Sequence, residues 1–331
     1  MFKKKEQLNI GIDIGSAFIK AVAIDRSKAT PELVAFSHEP IAEDKVVALK
    51  KIISNLELSN TSVATSVSGP STVARIVEMP KMNDKELKGA IKFEAEKYMP
   101  YKLDDVITDC VKIEDLPNGK ISILLIAAKK SIIENRIALL SEAGLTPRII
   151  DIDSFAIMNA FLNSQGTQGE DTPCALIDIG AKTTNINIIK DEQSYLVRDI
   201  QLSGKDVTEA MAEKLNLKFH EAEALKINPG ERKNEVTTIV KNIFYNLVNE
   251  IKLSFDFYES RYGKNVAKVY ISGGSANLEA LLPFFQEIFA INAVIWDPFN
   301  NINMGTKIDQ AAFNAKGASF AVAVGLGLRE V

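Results

Sequence analysis

One structural device is used twice in this chain, and that constrains the fold more than any other feature. Leu8-Asn9-Ile10-Gly11-Ile12-Asp13-Ile14-Gly15-Ser16 returns in altered form as Ala175-Leu176-Ile177-Asp178-Ile179-Gly180-Ala181, so that Asp178 lies 165 positions after Asp13. Each copy is an apolar, β-branched run ending in Asp-Ile-Gly and a small residue. Each is followed by a second β-rich run, Phe18 to Ile24 in one and Thr184 to Ile189 in the other. The pattern predicts strand, tight turn, strand, built twice. A single Asp-x-Gly after a strand reads equally as an Asx-type turn. Two with matching flanks point to two related halves.

The turn chemistry suits a phosphate. Glycine permits positive φ and close backbone approach, so that successive N–H groups can face an anion, with hydroxyls of Ser16, Thr183 and Thr184 as further donors. Two carboxylates beside a polyphosphate would repel it unless a hydrated Mg²⁺ lay between them, so Asp13 and Asp178 together predict nucleotide plus metal, the metal held through water. A third turn follows a β-branched run, Val269-Tyr270-Ile271-Ser272-Gly273-Gly274-Ser275-Ala276-Asn277, with a helix expected to open near Asn277. A flat base can lie against such a Gly pair. Between the second and third turns, Glu223 and Lys226 share one helical face, where an ordinary surface ion pair is an equally good reading.

These segments resemble the two phosphate motifs and the adenosine motif of the actin-like ATPase superfamily, an α/β fold of two ribonuclease H-like domains. The chain is most similar to its FtsA/PilM branch, and within it to the PilM family of type IV pilus assembly. The likeness runs from GIDIGSAFIKAVAI through PRIIDIDSFAIMNAF, DIGAKTTNINII and YISGGSANL to GASFAVAVGLGL. It implies ATP and Mg²⁺ as ligands. Asp13, Gly15, Ser16 and Lys20 would form the first phosphate turn, and Asp178, Gly180, Thr183 and Thr184 the second. Glu223 and Lys226 would lie near ribose and base, with Gly273, Gly274 and Ser275 at the adenosine.

Composition fits a cytoplasmic protein of two subdivided domains. The chain has 331 residues, 46% of them hydrophobic, enough for a sizeable core and more than one ordinary domain holds. A net charge of −4 with both signs interspersed offers no electrostatic case for nucleic acid. Cys110 and Cys174 lack the spacing of a metal site or disulfide framework and read as small buried hydrophobes. His38 and His220, the only histidines, form no zinc or Ser-His-Asp constellation. Lys3-Lys4-Lys5 precedes an apolar run broken by Asn9 and Asp13, which fails as a signal peptide. Gly317 to Leu328 is too short for a membrane span and suits a buried Gly/Ala-rich helix.

Along the chain, residues 43–55 read as a helix and Ser62 to Val67 as a strand. A compact α+β piece over 72–148 then interrupts the first domain. It has a strand at Thr72 to Glu78, a helix capped by Asn83 and Glu86 with Leu87, Ile91, Ala95 and Tyr98 on one face, and strands Val106 to Ile113 and Ile121 to Ala127 joined at Pro117-Asn118-Gly119. A second capping box of Ser131 and Glu134 opens a helix ended by Gly144. Residues 216–264 read as all helical, ending in a long helix from Glu235 to Arg261 whose stripe of Ile239, Ile243, Leu247, Ile251 and Phe255 is core. The polar loop Asn163 to Thr172 fits a hinge. The division is 1–71, 149–172 and 318–331 for one actin-like subdomain, 72–148 for the insertion, 173–215 and 265–317 for the second actin-like subdomain, and 216–264 for its helical piece.

The insertion favours the FtsA/PilM branch over sugar kinases and heat-shock ATPases. An FtsA-like cell-division protein is the nearest alternative; it would continue past Arg329-Glu330-Val331 into an amphipathic membrane helix. The PilM likeness implies instead attachment at the inner face of the membrane through a partner, the cytoplasmic N-terminal segment of a PilN-like bitopic protein, alongside other pilus-machinery proteins. A small-molecule kinase of the same superfamily would need a general base near the γ-phosphate. Asp151 and Asp153 are available for that, although an Asx turn or N-cap is their simpler role. Slow ATP hydrolysis stays open, with no residue assigned to position water.

Overall fold

The computed structural model describes residues 8–41, 44–57, 61–165, 172–278, 280–306, 308 and 316–329. Lys3 to Lys5, Glu330 and Val331 lie outside this set, as does most of the loop expected to be a hinge, whose first residues, 163–165, are helical. In chain order the first sheet contains β1 (Leu8–Ile14), β2 (Phe18–Asp25), β3 (Glu32–Pro40), β4 (Ser62–Val67) and β8 (Thr146–Ile152), with helix α1 (Lys45–Leu56) between β3 and β4. The second sheet contains β9 (Cys174–Ile179), β10 (Thr184–Lys190), β11 (Gln193–Ile200), β12 (Lys268–Ser272) and β13 (Asn292–Ile295). A short strand β14 (Asn303–Met304) returns to the edge of the first sheet.

The duplication seen in the sequence is complete at the level of topology. The strand orders are β14-β3-β2-β1-β4-β8 and β11-β10-β9-β12-β13. In both, the strand carrying Asp-Ile-Gly pairs antiparallel with the next strand and parallel with a strand reached by a long crossover. The register repeats as well: Asp13 lies opposite Lys20, and Asp178 opposite Asn185. Those partners are again 165 positions apart. The central strands are buried on both faces and accordingly read as continuous β-branched runs.

A separate three-stranded sheet, ordered β5-β7-β6, is built from β5 (Thr72–Pro80), β6 (Val106–Asp115) and β7 (Lys120–Lys129). Helix α2 (Asp84–Glu96) covers it and has the expected capping box, the Glu86 N–H donating to Asn83 Oδ1 at 3.0 Å and the Asn83 N–H to Glu86 at 3.1 Å. Leu87, Ile91 and Ala95 are buried, whereas Tyr98 falls past the helix end and stacks under Arg75. The second capping box does not form. Helix α3 (Lys130–Glu142) follows β7 with no connecting residue, which leaves Ser131 inside the first turn and Lys129 at the cap without a side-chain bond. Gly144, at φ +83°, sits just beyond its end as expected.

Helices α5 (Gly204–Leu215), α6 (Phe219–Ile227) and α7 (Lys233–Tyr262) cover one face of the second sheet. Ile239, Leu247 and Ile251 of α7 are buried there, with Ile243 and Phe255 packed alongside. Helix α8 (Leu281–Phe289) begins four residues later than the Gly-rich turn led one to expect, because residues 273–277 remain a turn. Cys174 is buried, and burial pushes its thiol up to about 12, but Cys110 is only partly covered, since β6 is an edge strand.

Two helices join the sheets. Helix α4 (Asp153–Gln165) and helix α9 (Ala321–Gly327) share one apolar cluster with Val22 and Ile24 of the first sheet and Leu176, Ile189 and Tyr270 of the second. The helices touch through glycine. A Cβ on Gly325 would stand 1.7 Å from the Ala156 carbonyl oxygen, and one on Gly11 would stand 2.2 Å from that of Ala323. Gly325→Ala should therefore cost about 3 kcal/mol or prevent folding. Gly89→Ala, on an exposed turn of α2 with nothing near, should add about 0.5–1 kcal/mol. Urea unfolding of both variants checks the pair, and equal effects would contradict this packing.

Candidate functional site

Because the two halves repeat each other, their Asp-Ile-Gly turns meet across a single cleft of about 790 Å³. The Gly15 N–H donates to the Phe18 carbonyl at 3.1 Å, and the Gly180 N–H donates to the Thr183 carbonyl at 3.0 Å. In each turn a Cβ on the glycine would lie 2.9 Å from that same oxygen. This corrects one expectation. Neither glycine has positive φ; glycine is required for closeness to a carbonyl, and its N–H is spent inside the turn.

Asp13, Gly15, Ser16, Lys20, Asp178, Gly180 and Thr183 all line the cleft, as do Lys226 and Gly274. Thr184, Glu223, Gly273 and Ser275 do not. Thr184 points away into the core, its hydroxyl donating to the Leu202 carbonyl at 2.7 Å. Gly273, at φ +97°, and Ser275 dock the third turn on the second: a Cβ on Gly273 would lie 2.5 Å from the Ile179 carbonyl, and the Ser275 hydroxyl donates to the Gly180 carbonyl at 3.2 Å. Lys226 spends its three protons on the Gly204 carbonyl, Thr208 Oγ1 and Glu223 Oε2, at 3.0, 2.8 and 2.7 Å. It is a buried lock between α5 and α6. Ile227, Pro229, Val240 and Leu278 add apolar side chains to the lining of the same cavity, which also includes Asn277.

The acidic end is strongly coupled. Lys20 Nζ donates to Asp13 Oδ2 at 2.6 Å, so the carboxylate already has a countercharge, and Asp13, Asp178 and Asp153 together hold the Lys20 ammonium above its ordinary pKa against burial. Burial pushes Asp178 up to about 6, aided by the charges of Asp13 and Asp153 and opposed by Lys20 and by the hydroxyl of Ser272, which donates to it at 2.8 Å. Asp153, the first residue of α4, is raised by burial and by Asp13. Asp151 stands apart, paired with Arg329, whose Nε donates to it at 2.7 Å. His38 is half-buried, stacked 4.3 Å from Phe18, and held down at about 4 by burial and by Lys316 and Lys20, so it is neutral at pH 7.

Several cleft residues were not anticipated. Asn185 carries a readable signal, the same offset from Lys20 as Asp178 from Asp13. It donates to Asp199 at 2.6 Å, and Asp199 in turn accepts from the Gly69 N–H at 2.8 Å, tying the second sheet to the first. Lys45, Arg136, Lys182 and Asn277 also line the cleft. Arg136 comes from α3 and has no sequence signal, since only the fold carries that helix to the cleft. Among the described residues no group of three or more His, Cys, Asp or Glu forms a metal cage.

Two sheets of six and five strands, built on one repeated motif around one cleft and joined by a pair of buried helices, define an actin-like ATPase fold. Solved structures agree. One of a PilM-PilN type IV pilus biogenesis complex matches with a TM-score of 0.88 and 25% identity over 98% of both chains. MreB5 of Spiroplasma citri bound to AMPPNP matches with a TM-score of 0.51 and 13% identity over 96% of this chain and 94% of that one. Cell division protein FtsA of Enterococcus hirae is 23% identical over 272 residues, 73% of this chain, and the chain spans 61% of that relative's length. The family profile of type IV pilus assembly protein PilM covers residues 11–331, and the chain belongs to that family.

Folding raises the Asp178 pKa from 3.8 to about 6, so folding is unpenalised below the lower value, loses stability between the two, and carries the full cost above about 6. Asp178→Asn should therefore stabilise the ligand-free chain at pH 7.5, by up to about 2 kcal/mol, with the gain vanishing by pH 4. Denaturant titrations at the two pH values check this, and no gain at pH 7.5 would contradict it.

Proposed function

We propose that this chain binds Mg·ATP in the cleft and acts as an actin-like scaffold of the type IV pilus inner-membrane assembly platform. The carrying observation is the pair of Asp-Ile-Gly turns, alike in their internal hydrogen bonds, facing one cavity whose lining also includes apolar side chains. Phosphates suit the end with the two turns. An adenine suits Ile227, Val240 and Leu278, with Asn277 and Gly274 at its edge. Nucleotide in MreB5 of the same fold supports the reading.

The donor set fits a hydrated Mg²⁺. Three carboxylates, Asp13, Asp153 and Asp178, interact electrostatically without forming a protein cage, which is how Mg²⁺ sits when phosphates and waters complete its shell. Asp13 and Asp178 would hold it through water, and its charge would offset the phosphates. Lys20 is placed as the countercharge of Asp13, and Ser272 to favour the charged form of Asp178. Asp13→Ala and Asp178→Ala should each weaken Mg·ATP binding by about tenfold or more with the fold intact. Calorimetry checks it; unchanged affinity in both would overturn the site.

The partner reading rests on the PilM-PilN structure. In this proposal the cytoplasmic N-terminal segment of a PilN-like bitopic protein binds beside the sheet β5-β7-β6, within a subdomain spanning 72–148. The actin-like halves are then 1–71, 149–172 and 318–331 on one side and 173–215 with 265–317 on the other, the latter carrying the helical piece 216–264. No helix among the described residues is long and apolar enough to cross a membrane, so in this reading the partner supplies the anchor. A peptide from the cognate N-terminus should shift amide resonances clustered in residues 72–148. A spectrum unmoved by saturating peptide would remove the assignment.

A further inference from the structure

Four cations of the cleft form no ion pair with a carboxylate among the described residues: Lys45, Arg136, Lys182 and Lys316, the last 3.5 Å from His38 Nδ1. Lys20 is paired with Asp13, and Lys226 with Glu223. Lys45, Arg136 and Lys182 line the same cavity, and none of them forms an ion pair or hydrogen bond among the described residues. They come from three separate places: the first residue of α1, the middle of α3 and the second Asp-Ile-Gly turn. Lys45 feels the other two: burial first, and then the charges of Arg136 and Lys182, hold it below its ordinary pKa.

Arg136 is the informative member. Its Nη1 is buried with no partner, a costly state for a guanidinium nitrogen. Burial lowers its pKa, while the charges of Asp153 and Asp13 act the other way, which puts it within reach of the carboxylates of the cleft. Ile132, one turn earlier on the same face of α3, also borders the cavity. A buried donor facing a cavity, with two unpaired ammonium groups lining the same cavity, can offer several donors to one anion.

We propose that Arg136, Lys45 and Lys182 clamp the terminal phosphate of a nucleoside triphosphate, so that the cleft distinguishes triphosphate from diphosphate through a residue of α3. This rests on the nucleotide reading above and deepens it. Guanidinium and ammonium groups form their strongest hydrogen bonds with phosphate oxygens. A terminal phosphate satisfies the buried Nη1 and turns mutual repulsion among the cations into shared attraction. A diphosphate stops short of them.

The clamp has a mechanical consequence. Helix α3 leaves β7 without an intervening residue, and β7 is the central strand of the three-stranded sheet. The C-terminal end of α3 is anchored separately, with Leu140 buried against α1 and β1. Drawing Arg136 toward a phosphate therefore moves the junction between the nucleotide cleft and that sheet, giving the triphosphate state its own geometry there.

The test measures Mg·ATP and Mg·ADP affinities by calorimetry for the full chain, for Arg136→Ala and Arg136→Gln, for Lys182→Ala, and for Asp13→Ala as a control. The clamp predicts that both Arg136 variants lose about tenfold in Mg·ATP affinity and stay within about twofold of the parent for Mg·ADP. Lys182→Ala, at an exposed position where truncation leaves no cavity, should show the same selective loss at smaller size, and Asp13→Ala should weaken both nucleotides. An unchanged preference for ATP in the Arg136 and Lys182 variants overturns the clamp alone. Equal loss of both nucleotides in the Arg136 variants also overturns it, by making Arg136 a support of the cleft. A parent chain that binds neither nucleotide overturns the nucleotide reading and the clamp together.

Discussion

The rest of the structure depends on the contact of α9 with α4 and β1. Helix α9 is apolar on all sides and is wedged against both neighbours at distances only glycine allows. Its far surfaces complete the cluster formed with Val22, Leu176, Phe161 and Tyr270, so the two sheets are held by one shared core. Interiors packed at crystal-like density do not deform smoothly. The spacing of these helices therefore sets the spacing of the two Asp-Ile-Gly turns, and with it the width of the cleft.

On that frame the cleft is built from opposed charges rather than from a preformed cage. The charges of Asp13 and Asp153 add to the cost of ionising Asp178, and that of Asp13 to the cost of ionising Asp153; Lys45, Arg136 and Lys182 line the same cleft without ion pairs among the described residues, Arg136 within reach of the Asp153 and Asp13 charges. Such a site is electrostatically incomplete when empty. In the proposed nucleotide reading, a ligand that carries phosphates and a divalent cation would supply both signs, and it would bias the chain only through differential affinity for two arrangements.

Much of the fold was legible because its signals are local. Strand β4, the capping box at Asn83 and the Gly119 turn fall where residue preferences put them, and the doubled Asp-Ile-Gly announced a doubled sheet. Ser131 failed as a cap because β7 runs straight into α3, a continuity that side-chain preference does not report. Thr184 failed as a phosphate donor because the alternation of β10 turns it to the core, while Thr183 beside it faces the cleft. Glu223 and Lys226 do share a helical face, yet Lys226 is consumed by Gly204 and Thr208 of α5, a neighbour that only packing provides.

By itself, then, the sequence determined two related halves, the turns that carry Asp13 and Asp178, and an inserted α+β piece, because each is written in short-range periodicity and turn chemistry. Tertiary structure decided which residues share the cleft. Arg136 and Lys45 have no motif and reach it only because α3 and α1 pack side by side on the first sheet. Asn185 and Asp199 tie the halves only because β10 and β11 lie opposite Gly69. Contacts between residues far apart in the chain are settled by the joint packing of a whole core, and no local pattern encodes that.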